Sequence, residues 1–360
     1  MRAKRPRPRR HVTIRDVARA AGVSVSTVSA SINHTDYVSA AMRTRIQTAI
    51  ERLHYRPNDL ARGLRLQHTR TIAVVVPDLS NSFYTEIVQG LEDYAGAVNY
   101  TLLIGDSRER ATEESKYLDS FHRRRVDGVV RIPAIDARGV ESAAVLGSIP
   151  VVYADRFFRT SRVKKSGVGC VGVNNAEAAF DATRYLLGLG HRRIGIIMGP
   201  ATVLTAAERL AGYSRALRSS RLSVNADLVR VADNQMLGGH REAIELLTRP
   251  DRPTAIFCTN NMMTLGALQA IQELKLKCPK HVSLLGFDDF YWATLLRPRI
   301  TMVRQPAREI GMTAARVLID FIEGHNGMKS EHFLPTTLMV RESCCPPPRR
   351  PLSAKERRSS

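Results

Sequence analysis

The chain has 360 residues, 44% of them hydrophobic, and a formal net charge of +20. This length exceeds that of one small domain and predicts two or three domains. Because no run of 18 apolar residues occurs, we expect no membrane-spanning helix.

The excess of basic residues lies at the two ends of the chain. Residues 1–70 contain 15 Lys and Arg against 4 Asp and Glu, a net charge of +11, and residues 341–360 contain 6 against 2, or +4. This concentration of basic residues at the ends of the chain indicates a nucleic-acid-binding region, although many runs of charged residues are only solvated surface. No apolar segment follows the first ten residues, so we expect no secretory signal and a cytoplasmic location.

A helical head is predicted over residues 11–56, after a disordered basic arm of residues 1–10 that is rich in Arg and Pro. The first helix begins with a capping box, in which the Thr13 hydroxyl accepts a hydrogen bond from the third helical N–H and Asp16 reaches back. Gly22 is predicted to end this helix, because it can adopt the positive φ of a tight turn.

Two further helices complete the predicted head. Ser24 caps the second, in which Val28 and Ile32 face inward, and the third runs from Ser39 to Leu53. The second helix then exposes small residues near its N-terminal end, namely Val25, Ser26, Ser29 and Ala30. A short helix, a glycine turn and a second helix of this kind are typical of a helix-turn-helix. An ordinary three-helix bundle would show the same spacing.

From Thr71 onwards, short β-branched runs alternate with helical segments. The clearest runs are IAVVV (72–76), TLLI (101–104), GVVRI (128–132), VVYA (151–154), IGIIM (194–198), TAIFC (254–258) and VSLLG (282–286). Helical periodicity separates them, as in Phe83–Ala97, Ala176–Leu189 and Met263–Leu274. This alternation predicts parallel sheets with helices on both faces. About ten candidate strands exceed one sheet, so we predict two doubly wound lobes.

The five cysteines are odd in number and include no C-x-x-C spacing, so disulfides are not implied, and we expect neither a metal nor a cofactor. Cys170 and Cys258 lie in apolar, strand-like runs and are predicted to be core residues. Residues 344–360 are rich in Pro, Arg and Ser and are predicted to form a disordered tail.

The head resembles that of the LacI family over TIRDVARAAGVSVSTVSASIN (13–33) and RTRIQTAIERLHYRPNDLARGL (43–64). The resemblance continues as far as VRES (340–343) and so covers most of the chain. It implies a transcription regulator that binds an inverted-repeat operator in double-stranded DNA as a homodimer. It also implies a small-molecule effector that controls this binding, with repression as the commoner outcome in the family.

The resemblance places the helix that starts near Ser24 in the major groove of DNA. Positions that face base edges match Val25, Ser26 and Ala30, and phosphate-contacting positions match Thr13, Thr27, Ser29 and Asn33. No Arg or Lys occurs in residues 24–33, so a bidentate contact to guanine cannot come from this helix. Sequence discrimination should then depend on other elements as well.

Residues 57–70 resemble the hinge helix and linker of the family. The resemblance implies that Leu64 enters the minor groove and bends the duplex, with Arg62 and Arg65 near the DNA backbone. Gly63 raises the cost of folding this helix by roughly 1 kcal/mol relative to Ala, which suits a segment that folds only on DNA. The alternative is an exposed linker with an incidental leucine.

Residues 71–343 resemble the periplasmic-binding-protein-like sensor of the family. The matching motifs are PDLSNSFYTEIVQGLE (77–92), RVDGVV (125–130), GLGHRRIGII (188–197), ERLAGY (208–213), PTAIFCTNN (253–261) and VSLLGFDD (282–289). They imply a multidomain protein in which the all-α helix-turn-helix head precedes a two-lobed α/β domain with doubly wound parallel sheets. We expect lobe 1 to hold residues 71–172 and 298–332, and lobe 2 to hold residues 173–297 and 333–343. The three crossings between lobes are then expected near Cys170–Asn174, Leu296–Arg299 and His332–Leu334.

The effector cavity is expected between the lobes, where the carboxyl ends of the strands meet. The resemblance assigns to it the aromatic residues Phe83 and Tyr84 and the polar residues Arg156, Asn174, Arg209, Asn234, Asn261 and Asp288. Such a set suits a sugar or nucleoside, because Arg donates to hydroxyls and Asp accepts from them. Asn174 and Asn261 stand where the family often has Asp. Trp292, the only Trp, either stacks at the edge of the cavity or packs within a lobe.

Other classes of protein fit the sequence less well. No P-loop, G-x-S-x-G or H-E-x-x-H motif occurs, and neither His191 nor the Asp288-Asp289 pair indicates catalysis, so we expect no enzyme activity. A periplasmic transport protein would share the two lobes but lack the head. An architectural DNA-bending protein with a vestigial cavity is the remaining alternative, because Asn174 and Asn261 weaken the predicted site.

Overall fold

The computed structural model of the protein describes residues 12–32, 38–55, 68–135, 147, 149–157, 168–325 and 330–348. The chain divides into two compact units, Met1–Thr69 and Arg70–Ser360. The predicted basic arm and most of the predicted hinge, residues 57–67, lie outside the described residues.

The first unit has three helices in its described part, α1 (Ile14–Ala21), α2 (Val25–Ile32) and α3 (Ala40–Leu53). At the start of α1, the backbone N–H and the hydroxyl of Thr13 donate to Asp16 Oδ2 at 2.9 and 2.7 Å. Gly22 ends α1 with a φ of 63°, as predicted. The Ser24 hydroxyl accepts from the Thr27 N–H at 3.1 Å and so caps α2.

The three helices share one small apolar core. Val17 of α1 and Val28 of α2 are fully buried, and Ile46 of α3 is nearly so. Arg45 of α3 adds a polar contact, since its Nη2 donates to the Ala21 carbonyl at 2.5 Å. This bond supplies a donor to a carbonyl at the C-terminal end of α1, where carbonyls lack intrahelical donors, and it joins α3 to that end of α1.

The described part of the second unit forms two six-stranded sheets. The strands are β1 (Thr71–Val76), β2 (Thr101–Asp106), β3 (Gly128–Arg131), β4 (Val151–Ala154), β5 (Val168–Val173), β6 (Ile194–Met198), β7 (Val229–Val231), β8 (Ala255–Cys258), β9 (Ser283–Phe287), β10 (Thr301–Arg304), β11 (Glu331–Leu334) and β12 (Thr337–Met339). The α-helices in its described part are α4 (Ser82–Ala97), α5 (Ala111–Arg123), α6 (Asn175–Gly188), α7 (Leu204–Ser219), α8 (Met236–Leu247), α9 (Asn261–Glu273) and α10 (Ala307–Ile322). None of the described helices is long and apolar enough to cross a membrane.

Each sheet is the centre of one lobe. In lobe 1 the strand order is β11-β5-β4-β3-β1-β2 and all pairs are parallel, with α4 and α10 on one face and α5 on the other. In lobe 2 the order is β12-β10-β9-β8-β6-β7, with α8 and α9 on one face and α6 and α7 on the other. Among the described strands of lobe 2, only β12 is antiparallel to its neighbour. Helices on both faces explain why the central strands are continuous apolar runs. The prediction of two doubly wound lobes is confirmed.

Two of the three predicted crossings between lobes are displaced. β10 pairs with β9 of lobe 2, whereas α10 packs in the core of lobe 1, so the second crossing lies at residues 305–306 and not near Leu296–Arg299. β11 pairs with β5 of lobe 1, which moves the third crossing from His332–Leu334 to residues 335–336. The hydrogen-bonded register of these strands therefore corrects the predicted lobe boundaries.

The prediction of a disordered tail is wrong for Cys344 and Cys345, which bond to lobe 2. The Cys344 thiol donates to the Leu284 carbonyl at 3.3 Å, and the Cys345 carbonyl lies 2.9 Å from His191 Nε2. His191 is buried, and its Nδ1 lies 2.9 Å from the Thr254 hydroxyl. These bonds fix a segment whose composition alone indicates disorder. Residues 349–360 lie outside the described part of the chain.

Candidate functional site

A cavity lies between the two lobes, at the carboxyl ends of strands from both sheets. Asp155 and Arg156 follow β4 of lobe 1, while Thr259, Asn260 and Asp288 follow β8 and β9 of lobe 2. The residues that line the cavity are Tyr84, Asp155, Arg156, Val203, Thr205, Ala206, Arg209, Asn234, Thr259, Asn260 and Asp288. Ligands of doubly wound sheets bind at such an edge.

The cavity is narrow in this conformation. The volume open to the centre of a water molecule is about 20 Å³. The total empty space, which includes solvent at the mouth of the cavity, is about 340 Å³. The smaller volume holds roughly one or two water molecules. A sugar or nucleoside therefore requires the lobes or the lining side chains to move apart as it enters.

Arg209 of α7 connects three elements of lobe 2 at the cavity. Its Nε donates to Asn175 Oδ1 at 2.8 Å, and its Nη1 donates to the Thr259 carbonyl at 2.5 Å. Nη1 also lies 3.8 Å from Asp288 Oδ2, and the guanidinium carbon lies 3.7 Å from the centre of the Phe287 ring. Because Arg209 is only 5% exposed, these partners replace the water that its charge would otherwise require.

Arg156 of lobe 1 is held by a two-pronged ion pair with Glu109. Its Nη1 and Nη2 donate to Glu109 Oε2 and Oε1 at 2.8 and 2.9 Å. Nη1 also donates to the Pro133 carbonyl at 3.1 Å. The guanidinium carbon lies 5.6 Å from the centre of the Tyr84 ring, within range of a cation–π contact. Arg156 therefore reaches the cavity with its terminal nitrogens already bonded.

Two buried carboxyl groups face the cavity from opposite lobes. Burial raises the pKa of the Asp288 carboxyl, and it raises the pKa of the Asp155 carboxyl to about 6 although Arg209 and Arg156 act in the opposite direction. Asp288 Oδ1 accepts from Gln305 Nε2 at 2.6 Å. Asp155 Oδ1 is buried and has no hydrogen-bond donor among the described residues. Asp155 can therefore accept a hydrogen bond from a ligand.

We expect the Asp155→Asn variant to be more stable than the unmodified protein at pH 8 and equally stable near pH 3, below the ordinary pKa of the carboxyl. The folded-state pKa of about 6 lies above the ordinary value of 3.8, so the contribution of this group to stability is fully present below pH 3.8 and is lost as the pH rises from 3.8 through 6. The gain at pH 8 should be about 1–3 kcal/mol in the free energy of unfolding. Urea unfolding across this pH range measures it, with the exposed Asp119→Asn as control. A gain that does not change with pH would contradict the assignment.

Asn261 forms a direct bond between the lobes. Its Nδ2 donates to Asn81 Oδ1 at 2.8 Å, while its own Oδ1 accepts from the Met262 N–H at 2.8 Å. Asn81 Oδ1 also accepts from the Phe83 N–H at 3.0 Å, at the start of α4. Backbone donors thus fix the orientation of both amides. Asn261 therefore joins the start of α9 in lobe 2 to the start of α4 in lobe 1.

A double-mutant cycle should measure this bond between the lobes. We expect Asn81→Ala and Asn261→Ala to be less destabilising together than the sum of the single variants, by about 0.5–1.5 kcal/mol. Asn174 accepts from the Glu177 N–H at 3.1 Å and so caps α6, as Asn81 caps α4. Asn81→Ala with Asn174→Ala is therefore the control cycle. Thermal unfolding gives the values, and additivity in both cycles would show that the bond contributes nothing.

The second helix of the head presents the side chains predicted to meet DNA. Val25 is 41% exposed, and Ser26 is also exposed. Thr27, Ser29 and Ala30 are half-buried, and Ala30 packs partly against the core of the head. Thr13 is exposed at the start of α1. The other predicted DNA-contacting residues lie outside the described residues, namely Asn33, Arg62, Leu64 and Arg65.

Two family models match the chain. The model described as bacterial regulatory proteins, lacI family, matches residues 13–58, and the model described as periplasmic binding protein-like domain matches residues 183–344. The transcriptional repressor CytR of Escherichia coli strain K12 is 34% identical over 335 residues, which cover 92% of this chain and 96% of CytR. Catabolite control protein A of Priestia megaterium is 33% identical, with 92% and 99% covered. The chain belongs to the LacI family.

Solved structures of LacI-family proteins share this fold. The Lac repressor dimer bound to operator and the anti-inducer ONPF superposes with a TM-score of 0.82 at 25% identity, covering 93% of this chain and 100% of that chain. The complex of the transcriptional regulator CelR with cellobiose gives 0.68 at 32% identity, covering 92% and 100%. The predicted helix-turn-helix head and two-lobed sensor are confirmed. As a LacI-family member, the chain is a DNA-binding transcription regulator and not an enzyme.

The cavity of this LacI-family sensor contains five of the nine residues predicted for it, namely Tyr84, Arg156, Arg209, Asn234 and Asp288. Phe83 lies in the core of lobe 1, edge-on to Tyr84 with ring centres 5.3 Å apart. Trp292 does not line the cavity but packs against Phe290 in lobe 2, with ring centres 4.1 Å apart. Asn174 is exposed as the cap of α6, and Asn261 is buried in the contact between lobes.

Residues next to two of those predicted from the sequence contribute to the site instead, either by lining the cavity or by bonding to a residue that lines it. Asn260 lines the cavity where Asn261 was predicted, and Asn175 contacts Arg209 where Asn174 was predicted. Asp155 and Thr259 were also missed, although each directly follows a predicted strand. A polar residue at the carboxyl end of a parallel strand is the signal that could have found them. No group of three His, Cys, Asp or Glu side chains in the described part of the chain could hold a metal ion.

Proposed function

We propose that this LacI-family regulator acts in the cytoplasm as a transcriptional repressor, bound to an inverted-repeat operator as a homodimer and controlled by a sugar or nucleoside-like effector. The observation that carries the effector assignment is the cavity between the lobes. Asp155 and Arg156 reach it from lobe 1, and Arg209 and Asp288 reach it from lobe 2. A ligand that bonds to both pairs would change the geometry of the two lobes.

The chemistry of the cavity supports a ligand rich in hydroxyl groups. Buried carboxylates accept hydrogen bonds from hydroxyls, and Asn234, Asn260 and Thr205 add groups that donate or accept. The ring of Tyr84 gives an apolar face for a sugar or a base. Among the relatives, CelR is described in complex with cellobiose, and a regulator from Enterococcus faecium is described with bound ribose.

On DNA, we place α2 of each head in the major groove of one half-site. The small side chains of Val25, Ser26 and Ala30 allow close apposition to base edges but little base-specific hydrogen bonding. We therefore assign part of the sequence preference to the hinge, with Leu64 of each subunit as a wedge in the minor groove. The effector acts by binding one lobe geometry better than the other, which changes how the two hinges of the dimer meet the operator.

Selection of bound duplexes from a random pool tests the DNA assignment. We expect a two-fold-symmetric site and a preference that persists at moderate ionic strength. Recovery of sequences without symmetry would overturn the assignment.

A thermal-shift panel of sugars and nucleosides, followed by gel-shift titration with each ligand that binds, tests the effector assignment. Saturation at 100 times its Kd should stabilise the protein by about 2.7 kcal/mol and change operator affinity. If tight-binding ligands all leave operator affinity unchanged, the cavity does not control DNA binding. The alternative of an architectural DNA-bending protein predicts that no panel member binds, and relatives that are named repressors do not favour it.

A further inference from the structure

The ion pair between Glu109 and Arg156 controls what Arg156 can offer to a ligand. Arg156 lines the cavity, but Glu109 does not, and the two side chains are 8% and 12% exposed. Both oxygens of Glu109 accept from Arg156, one from each terminal nitrogen. Such a fork-shaped pair uses the two donors with which arginine normally binds a phosphate or a carboxylate. Glu109 therefore occupies the edge of the guanidinium that would otherwise bind an anion.

The loop after β2 holds Glu109 firmly in this position. Its backbone has a left-handed φ of 56°, and its N–H donates to the Pro77 carbonyl at 2.8 Å. Glu109 Oε2 also accepts from the Ile135 N–H at 3.0 Å. On the other side of the pair, Arg156 Nη1 donates to the Pro133 carbonyl at 3.1 Å. These bonds anchor both partners, so a ligand would have to break several of them to displace the carboxylate.

The charges around the cavity also oppose an anion. The charged side chains that line it or pair directly with its lining residues are Arg156, Arg209, Asp155, Asp288 and Glu109. Three are acidic and two are basic, a net charge of −1 when all are ionised. The Nη1 of Arg209 is already bonded to the Thr259 carbonyl. By contrast, Asp155 Oδ1 has no donor in the described part of the chain. The cavity thus needs hydrogen-bond donors from its ligand and repels negative charge.

We propose that Glu109 is a specificity-determining residue that makes the cavity reject phosphorylated and other anionic ligands and select uncharged, hydroxyl-bearing effectors. This inference rests on the proposed function in taking the cavity as the effector site. Glu109 acts through Arg156 and touches no ligand itself. Specificity then arises from an unfavourable interaction with the wrong ligand as much as from contacts with the right one.

Inorganic phosphate is the test ligand, because its binding does not require the effector to be known. We expect the unmodified protein to show no phosphate binding at the cavity, measured by calorimetry and by thermal shift against chloride of equal ionic strength. Glu109→Gln should gain phosphate binding, with a Kd about tenfold to hundredfold below the highest phosphate concentration at which the unmodified protein shows none, because Gln keeps only one acceptor for Arg156 and thus frees one charge-assisted hydrogen bond. Adding Arg156→Gln to this variant should remove the gain.

Glu113→Gln is the matched control. It removes one negative charge from the same lobe, but Glu113 pairs with Lys116 at the surface, at 2.8 Å, and should gain no phosphate binding. If folded Glu109→Gln gains none either, the proposal is overturned. Glu109→Ala is the second variant in case Gln at this position prevents folding. Phosphate binding by the unmodified protein that Arg156→Gln abolishes would also overturn it.

The two proposals fail in different experiments. If no sugar or nucleoside stabilises the unmodified protein while Glu109→Gln gains Arg156-dependent phosphate binding, Glu109 still controls the charge preference but the proposed effector class is wrong. If a neutral sugar controls operator binding while Glu109→Gln gains nothing, the effector assignment stands and the role of Glu109 is wrong.

Discussion

Replacing Arg209 with Ala is expected to lower the free energy of unfolding by about 3–5 kcal/mol and to abolish the response to effector. The substitution leaves the Asp288 carboxylate buried without the cation that lies 3.8 Å from it. It also removes the donors to Asn175 Oδ1 and to the Thr259 carbonyl. Because Asp288 and Thr259 line the cavity, the same loss disorganises the surface that a ligand meets. Urea unfolding measures the first effect, and gel-shift titration with a binding ligand measures the second.

Arg215→Ala on the same helix is the control for Arg209. The side chain of Arg215 is 45% exposed and pairs with Glu177, which is 54% exposed, so water replaces much of what that pair contributes. We expect only a small change in stability and an unchanged ligand response. Arg209→Lys should lie between the two variants, because it keeps the charge but loses the planar group that bonds and stacks at once. Equal urea midpoints for Arg209→Ala and Arg215→Ala would contradict the role of the buried network.

Most of the strands that carry the cavity could be predicted from the sequence, because burial on both faces leaves a continuous apolar signal. β1, β3, β8 and β9 are of this kind. β5 is interrupted by Gly169 and Gly172, and β7, β11 and β12 are short strands at or next to sheet edges with exposed residues. Their pattern differs little from that of a loop. These segments are strands because they form hydrogen bonds with a neighbouring strand. The sequence alone does not show this pairing.

The crossings between lobes were misplaced for the same reason. Nothing in Thr301–Arg304 or Glu331–Leu334 indicates which of two similar sheets each strand joins. The structure shows that the register of Thr301 with Leu285 and of Glu331 with Cys170 decides it. Such contacts join residues far apart in sequence. Local pattern therefore predicts the kind of fold but not the exact points at which the chain changes lobes.

Errors of one residue in the predicted site have a physical cause as well. Asn174 and Asn175 are chemically identical, as are Asn260 and Asn261, so composition cannot say which of the first pair contacts Arg209 and which of the second pair lines the cavity. The position of each asparagine at the start of the following helix, α6 or α9, decides what its side chain contacts. Asn174 and Asn260 both cap a helix with the side-chain oxygen, but only Asn260 lines the cavity. Two asparagines with the same capping role therefore differ in whether they line the cavity, and the identity of the residue does not show which one does.

The segment that follows β3 connects the cavity to a buried ion pair in lobe 1. Glu114 of α5 and Arg131 of β3 are both fully buried, and Arg131 Nε donates to Glu114 Oε1. Glu114 Oε2 accepts from the Ala134 N–H at 2.8 Å. The residues on either side of Ala134 bond to the Glu109–Arg156 pair, through the Pro133 carbonyl and the Ile135 N–H. Glu114 therefore fixes the backbone on which that pair rests.

Glu114→Ala is expected to lower the free energy of unfolding by about 3–5 kcal/mol, because it removes the buried carboxylate that pairs with the buried Arg131 guanidinium. Its neighbour Glu113 gives a closely matched control, since Glu113→Ala removes the same atoms one position earlier but breaks only a surface pair with Lys116. We expect the urea midpoint of the Glu113→Ala variant to be nearly that of the unmodified protein. Glu114→Gln keeps acceptor capacity without the charge and should fall between them. Equal urea midpoints for Glu114→Ala and Glu113→Ala would show that the buried Glu114–Arg131 pair does not stabilise lobe 1. The Glu109–Arg156 pair would then be supported by other contacts.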